Sequence, residues 1–188
     1  DDGERFQKID KGPLLGAIQN EPYLQACPIV YKISENNWHM FYLSGTKWME
    51  CDGKKESQYL LMHATSKDGL NWKRSGKSII NTVVEDECQT SASILKKDGR
   101  YHMFLSYRYG TSFRENEDRG YRIGYASSDD MLVWHRDDSK AGINVSEDGW
   151  DSEMVAYPHL LEVDGQVLMF YCGNSFGIEG FGYAILEE

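Results

Sequence analysis

Short apolar runs alternate with polar turns along the chain, and three sequence markers recur with a period of about 64 residues. The first marker is a methionine within an apolar run, found at Met40, Met103 and Met169. The second is an alanine that follows a His or Tyr, found at Ala64, Ala126 and Ala184. The third is a large aromatic residue four positions after an Asp, found at Phe6, Trp72 and Trp134. Three independent markers with one period predict a chain built from structural repeats.

Each predicted unit has the same internal order of apolar runs and turns. A short apolar run and a tight turn precede the methionine strand, and the alanine strand and a strand with the aromatic residue follow. The tight turns are of the kind that two-residue hairpins use: Asn36-Asn37, Asp98-Gly99 and Asp164-Gly165. Four short strands in tandem predict the blade of a β-propeller, so we expect an all-β fold with little helix. A β-sandwich is the alternative, but sandwiches do not usually repeat four-strand units at a fixed period.

The period divides the chain into a run of about three blades within a single β-propeller domain or part of one. We expect residues 1–16 to be the last strand of a preceding blade and a linker, and residues 17–80 and 81–143 to be blades. Residues 144–188 are expected to form a blade that lacks its last strand. Propellers have roughly four to eight blades, so further blades would lie upstream, or identical chains would complete one another. A third alternative is that residues 1–10 supply the final strand of the last blade.

Composition narrows the classes of partner and compartment. The 188 residues include 30 acidic and 20 basic side chains, and the net charge of −10 disfavours a nucleic-acid partner. No apolar run approaches the ~18 residues of a membrane span, and no basic amphipathic stretch indicates a membrane surface. The four cysteines are scattered without a C-x-x-C pair, so we expect no metal site and no disulfide framework, in a reducing, cytoplasmic compartment. The sequence does not begin with Met, so we expect an upstream segment.

Three segments resemble the blades of five-bladed propellers of the glycosidase type. They are His63–Trp72, Tyr121–Ser127 and Gly177–Ala184. This superfamily contains arabinanases, xylosidases, fructosidases and mannoside phosphorylases, and the chain looks most similar to bacterial glycosidase-like proteins. The resemblance covers nearly the whole chain and implies a five-bladed propeller that acts on or binds a carbohydrate. No phosphate-binding glycine loop or nucleotide motif is present, so we expect no cofactor.

In this superfamily the first strand of each blade lines a central channel, so the residues just before it converge on one mouth of that channel. Carboxylates stand there in all three units: Glu21, then Glu85, Asp86 and Glu87, then Asp151 and Glu153. A glycosidase needs one carboxyl group as acid and another as base or nucleophile, about 5 Å apart for retention and roughly 6.5–9.5 Å apart for inversion. The predicted catalytic residues are Glu87, Asp151, Glu153 and Glu21.

Glu87 is the first choice for the general acid. Glu87-Cys88 matches a Glu-Cys motif of fructosidase-type propellers, although a solvated acidic loop is the alternative. Asp151 and Glu153 are flanked by large apolar residues, which favours a site role for at least one of them. Glu21 could instead simply end a loop.

Five further side chains are candidates for substrate binding: Arg108, Tyr107, His159, Trp150 and Asn174. Arg108 could pair with a site carboxylate or a sugar substituent, or form a structural ion pair between blades. His159 could face the channel or be a core histidine. Tyr107 and Trp150 could stack on a sugar or pack in the core. Asn174 could bond the substrate or cap a turn.

Two features depart from the catalytic families that the chain resembles. The Asp-rich motif that supplies the base or nucleophile usually lies on the first blade, which the predicted run does not include. Ala92-Ser93 also stands where many relatives have Arg-Pro. Two hypotheses therefore stand: an enzyme that cleaves or transfers a glycosidic bond with carboxylates at the channel mouth, or a non-catalytic carbohydrate-binding or assembly propeller.

Overall fold

The computed structural model describes residues 5–51 and 53–187, which form three antiparallel β-sheets. The first sheet has the order β1-β2-β3-β4, with strands β1 Gln25–Ser34, β2 Asn37–Cys51, β3 Lys54–Ser66 and β4 Trp72–Ser78. The second has the order β5-β6-β7-β8, with strands β5 Cys88–Lys97, β6 Arg100–Arg108, β7 Arg122–Ser128 and β8 His135–Arg136. The third has the order β11-β10-β9, with strands β9 Ala156–Val163, β10 Gln166–Cys172 and β11 Phe181–Ile185. Consecutive strands pair in every sheet, which confirms the predicted all-β class.

Helical structure in the described residues is limited to short turns. Glu117–Arg119 and Asp138–Lys140 are 3-10 turns, and α1 is the single turn Asn174–Gly177. Part of the predicted segment 1–16, residues 1–4, lies outside the described residues, and residues 5–16 form no strand. No helix in the described ranges is long and apolar enough to cross a membrane.

The three sheets place similar residues in the same register. In the first sheet, Met40 of β2 pairs with Val30 of β1 on one side and with Ala64 of β3 on the other. The same arrangement occurs in the other two sheets with the triplets Ile94-Met103-Ala126 and Leu160-Met169-Ala184. These register partners define the corresponding positions of the three sheets.

Each first strand is interrupted by a β-bulge at a corresponding position. Cys27, Ser91 and Tyr157 have φ angles of 50°, 51° and 60°, and the ladder changes register beside each of them. A bulge bends its strand and re-aims the neighbouring side chains. The chain segments that precede the three bulges therefore leave their sheets in a similar way.

Two of the three hairpin turns are those that the sequence predicts. Asp98-Gly99 and Asp164-Gly165 have positive φ at both residues, as a type I′ turn requires. The first turn consists of Glu35 and Asn36, because Ser34 pairs with Asn37. The predicted turn at Asn36-Asn37 is therefore wrong by one residue.

Apolar layers join the sheets in sequence order. The layer between the first and second sheets contains Phe41, Met103 and Trp134. The layer between the second and third sheets contains Phe104, Val155 and Met169. The second sheet thus lies between the other two, and β5 contacts strands of both neighbours.

Candidate functional site

Glu21 lies buried just before β1 and is bound by side chains from two other strands of the first sheet. The Tyr42 hydroxyl donates to both carboxylate oxygens at 3.0 Å, and Arg74 Nη1 donates to Oε2 at 2.9 Å. Burial, together with the Glu21 carboxylate, raises the pKa of Tyr42 far above its usual range, so this hydroxyl keeps its proton. Because the side chain of Glu21 is 0% exposed, the arginine is what makes its negative charge tolerable.

Glu87 lies just before β5 and has four hydrogen-bond donors. Arg136 Nη1 and Gln89 Nε2 donate to Oε1 at 2.6 and 2.8 Å. The backbone N–H groups of Val83 and Val84 donate to Oε2 at 2.7 and 3.2 Å. The side chain is 0% exposed, so the alternative of a solvated loop is wrong for Glu87. A general acid must reach a leaving group, and this carboxylate has no exposed surface; its predicted role stays a prediction.

The two arginines occupy corresponding positions on the fourth strands. Arg74 pairs with Ala64 of β3, and Arg136 pairs with Ala126 of β7. Each crosses its sheet to a carboxylate that precedes the first strand. Neither arginine is among the predicted site residues, although the sequence carries their signal: an Arg follows two positions after the aromatic marker in both units.

Asp151 precedes the first strand of the third sheet and is buried with a different set of partners. The hydroxyl of Tyr171 donates to Oδ2 at 2.8 Å. Tyr171 corresponds to Tyr42, and Asp151 and Glu21 both stand six residues before the bulge residue of their sheet. Burial, with the carboxylate as the next cause, raises the pKa of Tyr171 to about 12. No Lys or Arg among the described residues forms an ion pair with Asp151.

Glu153 is partly exposed, and its carboxylate has no ion-pair or hydrogen-bond partner in the part of the chain that the structure describes. Its backbone is held firmly, since its N–H donates to Asn174 Oδ1 at 2.8 Å and its carbonyl accepts from Arg122 at 2.9 Å. Asn174 Oδ1 also accepts from the N–H of Met154, and its Nδ2 donates to the Gly149 carbonyl at 3.0 Å. Asn174 therefore fixes the loop that carries both acids, and its predicted contact with a substrate stays a prediction.

Trp150 and Tyr107 both pack against neighbouring side chains. The Trp150 ring stacks on Tyr171 with a centroid distance of 5.3 Å, and it lies so close to Gly173 and Gly182 that neither position has room for a Cβ. Tyr107 has the guanidinium of Arg136 over its ring, 4.5 Å from the centroid. Tyr171 and Arg136 donate to Asp151 and Glu87, so these contacts hold the donors of two carboxylates in place. A sugar-stacking role for either ring is untested.

Arg108 is buried in an aromatic cage. Its guanidinium lies 3.4 Å from the ring centre of Phe113 and about 5.5 Å from the ring centres of Tyr59 and Tyr121. It donates to the backbone carbonyls of the next two residues and to the Tyr59 hydroxyl at 3.0 Å. Within the described ranges it pairs with no carboxylate, so neither ion pair suggested by the sequence is present there.

The first strands of the three sheets share one groove with a volume of about 520 Å³. The bulge residues Cys27, Ser91 and Tyr157 line it, together with the residues that follow each of them. His159 also lines the groove and is exposed, so the alternative of a core histidine is wrong. Its predicted role as a channel-facing ligand stays a prediction.

The predicted catalytic carboxylates are thus distributed over three sheets. Glu21, Glu87 and Asp151 are each bound within their own sheet, whereas Asp151 and Glu153 share one loop. Among the described residues, no group of three or more His, Cys, Asp or Glu side chains could hold a metal ion. What the third sheet offers chemically is one partly exposed acid and one buried acid on the same loop, whereas the acids of the first and second sheets are held in ion pairs with arginines.

Comparison with known proteins gives no matching family model. An uncharacterized protein of Mycobacterium tuberculosis is 31% identical over 187 residues, which cover 99% of this chain and 58% of that protein. A 1,2-beta-oligomannan phosphorylase of Thermoanaerobacter sp. is 25% identical over 162 residues, which cover 77% of this chain and 50% of the phosphorylase. The chain therefore spans little more than half the length of the curated relatives that it matches.

Solved structures share the fold of this chain. A glycoside hydrolase superposes with a TM-score of 0.67 and 23% identity, over 93% of this chain and 50% of the other. A family 117 glycoside hydrolase of the marine bacterium Zobellia galactanivorans superposes with a TM-score of 0.65 and 18% identity, over 87% of this chain and 52% of the other. The architecture is that of the propeller-type folds found among glycoside hydrolases.

Proposed function

We propose that this is a carbohydrate-active protein of the glycoside hydrolase type, which acts on a glycosidic bond with carboxylates that precede the three first strands. The observation that carries the proposal is the convergence of three bulged first strands on one groove, each preceded by a carboxylate. The likeness to glycoside hydrolase structures and to an oligomannan phosphorylase supports a sugar as the ligand.

We infer further that the three sheets are blades of a five-bladed propeller, with residues 17–80, 81–143 and 144–188 as the units. Coverage of 58% of the mycobacterial relative supports the presence of further blades outside this chain.

In the proposed reaction the two acids of one loop take different roles. Glu153 is the candidate for proton transfer, because its carboxylate is partly exposed and bound to no other described side chain. Asp151 is the candidate for the second carboxylate, with the Tyr171 hydroxyl as its hydrogen-bond donor. Such a division of roles is what glycosidic cleavage requires. Glu21 and Glu87, neutralised by arginines, would then shape the site, and a direct role for Glu87 is the competing assignment.

The first experiment is a turnover assay with β-1,2-linked oligomannan, with and without inorganic phosphate. Hydrolysis would release reducing sugar in both conditions, whereas phosphorolysis would need phosphate and release a sugar phosphate. Glu153→Gln should lower the rate by about 10²–10⁴-fold if this side chain transfers the proton. Glu147→Gln, an exposed acid a few residues earlier, is the control that should keep the rate. Full activity of Glu153→Gln would remove Glu153 from the mechanism.

A second candidate function is carbohydrate binding or assembly without catalysis. Its support is that two of the four predicted catalytic acids are fully buried and neutralised by arginines. This candidate predicts saturable binding of oligosaccharides in calorimetry with no turnover in either condition of the assay. Turnover that Glu153→Gln abolishes would exclude it.

A further inference from the structure

Two consecutive residues in the turn between β10 and β11 have left-handed backbone conformations. Ser175 and Phe176 have φ angles of 53° and 62°, and neither is a glycine. For a bulky aromatic residue a positive φ is an outlier, and it persists only where the surrounding structure imposes it. Such conformations cluster at ligand-binding and active sites. The turn therefore holds the Phe176 ring in a position that the backbone would not adopt by itself.

The contacts that impose this conformation join the turn to the loop that carries Asp151 and Glu153. The Phe176 N–H donates to Met154 Sδ at 3.4 Å. Asn174, two residues earlier, accepts from the N–H groups of Glu153 and Met154. Because β9 and β10 are antiparallel, β10 ends where β9 begins, and the turn lies at the same end of the third sheet as the two acids. Phe176 is therefore a neighbour of these acids in the fold.

The Phe176 ring packs against two rings from the loop between β6 and β7. Its centroid lies 6.2 Å from that of Phe113 and 6.1 Å from that of Tyr121, with interplanar angles of 90° and 86°. Edge-to-face packing of this kind is a favourable arrangement of aromatic pairs. Phe113 and Tyr121 are buried, at 4% and 3% exposure, whereas Phe176 is 40% exposed. The ring is thus fixed by two buried partners, while part of its surface remains open.

This setting lies on the side of the third sheet that faces the second sheet. The second sheet has a neighbour on both of its faces within the described chain. A further blade beyond the third sheet would pack on the opposite face of that sheet, away from Phe113 and Tyr121. The contacts that hold the Phe176 ring are therefore independent of any further blade.

A rigidly held aromatic ring next to carboxylates suits a sugar ring as its ligand. A pyranose has an apolar face of C–H groups that can lie on an aromatic ring, and the hydroxyl groups at its rim can bond polar side chains. The turn and the adjoining loop offer the partly exposed polar side chains of Ser175, Ser152 and Glu153. Because the ring is already fixed, little side-chain freedom is lost when a ligand binds to it.

We propose that Phe176 is a carbohydrate-stacking residue, which binds the C–H face of a pyranose unit next to Glu153. The inference rests on the proposed function for the class of ligand, but it does not require turnover. The phenyl ring has no polar atom, so it supplies affinity and does not select between hydroxyl configurations. Since the stacking contact is the same before and during any reaction, it lowers the KM and leaves the kcat unchanged.

The test screens the full-length protein against an array of neutral pyranose oligosaccharides that includes β-1,2-linked oligomannan, and calorimetry then measures the tightest binder. Phe176→Ala should weaken binding by about three- to tenfold. Phe176→Leu keeps the apolar bulk without the ring and should also weaken binding, whereas Phe176→Tyr should retain it. Ser175→Gly is the matched control, because it relaxes the same turn and keeps the ring. It should raise the urea midpoint of unfolding and leave the affinity unchanged.

Two outcomes would overturn the proposal. One is that the protein binds no oligosaccharide of the array. The other is binding that both Phe176→Ala and Phe176→Leu leave unchanged, although each variant unfolds cooperatively in urea. Binding that Phe176→Ala weakens, without any turnover, supports this inference and overturns the enzymatic proposal. Turnover with the same KM in Phe176→Ala and the parent does the reverse.

Discussion

In the first sheet the buried carboxylate of Glu21 is bound by a tyrosine hydroxyl and an arginine, whereas in the third sheet Asp151 has the corresponding tyrosine but no cation among the described residues. The two sheets share strand register and bulge position, so the difference lies in the fourth strand. The fourth strand therefore supplies more than hydrogen bonds. It carries the charge that makes a buried acid stable.

The largest effect on stability is expected in the second sheet. Glu87→Gln should reduce the free energy of unfolding by about 3 kcal/mol, because Arg136 would lose its closest anionic partner, although it keeps Asp138 at 2.9 Å from Nη2. Urea denaturation measures the effect. Glu85→Gln is the matched control, since Glu85 is exposed in the same loop and should change stability by less than about 0.5 kcal/mol. A loss below about 1 kcal/mol for Glu87→Gln would show that the fourth-strand arginine does not depend on this acid.

The first sheet also differs from the third in its response to pH. His39 and His63 are buried, with Nδ1 of the former 3.0 Å from Nε2 of the latter, and burial lowers the pKa of His63 from 6.5 to about 4. The unfolded chain therefore binds a proton more readily than the folded chain, so the stability present above pH 6.5 is lost as the pH falls toward 4. We expect a loss of about 2 kcal/mol down to about pH 5.

The third sheet provides the matched variant for the pH test. Its residue at the position of His63 is Tyr183, and the second sheet has Tyr125 there. His63→Tyr should flatten the stability profile between about pH 6.5 and pH 5 in urea titrations at each pH. An unchanged slope in this variant would assign the pH dependence to other groups.

How much the sequence predicts depends on whether a feature is local. The period, two hairpin turns and the strand order follow from local patterns such as Asp98-Gly99 and the methionine markers. The neutralisation of Glu87 is not local, because Arg136 lies 49 residues away and reaches it only through the strand pairing. Sequence position alone therefore placed Glu87 correctly before a first strand, but could not distinguish a buried ion pair from an available acid. The missed signal was the Arg that follows the aromatic marker by two positions.

Removing a tyrosine hydroxyl should cause a smaller loss of stability, and the same change can be made in the first and the third sheet. Tyr171→Phe removes the only described hydrogen-bond donor to the side chain of Asp151, and we expect a loss of about 2 kcal/mol. Tyr42→Phe leaves Arg74 on Glu21, so its loss should be nearer about 1 kcal/mol. Urea denaturation of the two variants compares them directly. Equal losses would mean that Asp151 already has a further partner under the conditions of the measurement.

The smallest effect on stability is expected at Glu153, which stands at the position corresponding to Glu87, four residues before the bulge. Glu87 is fully buried beside an arginine, whereas Glu153 is partly exposed and bound by no described side chain. Glu153→Gln should therefore change the free energy of unfolding by less than about 0.5 kcal/mol in the same denaturation experiment. Because the fold survives, any loss of turnover in this variant reports on chemistry rather than on stability. A loss above about 2 kcal/mol would instead show that Glu153, like Glu87, is held by a charged partner. The contrast between the two acids, on which the proposed roles depend, would then be lost.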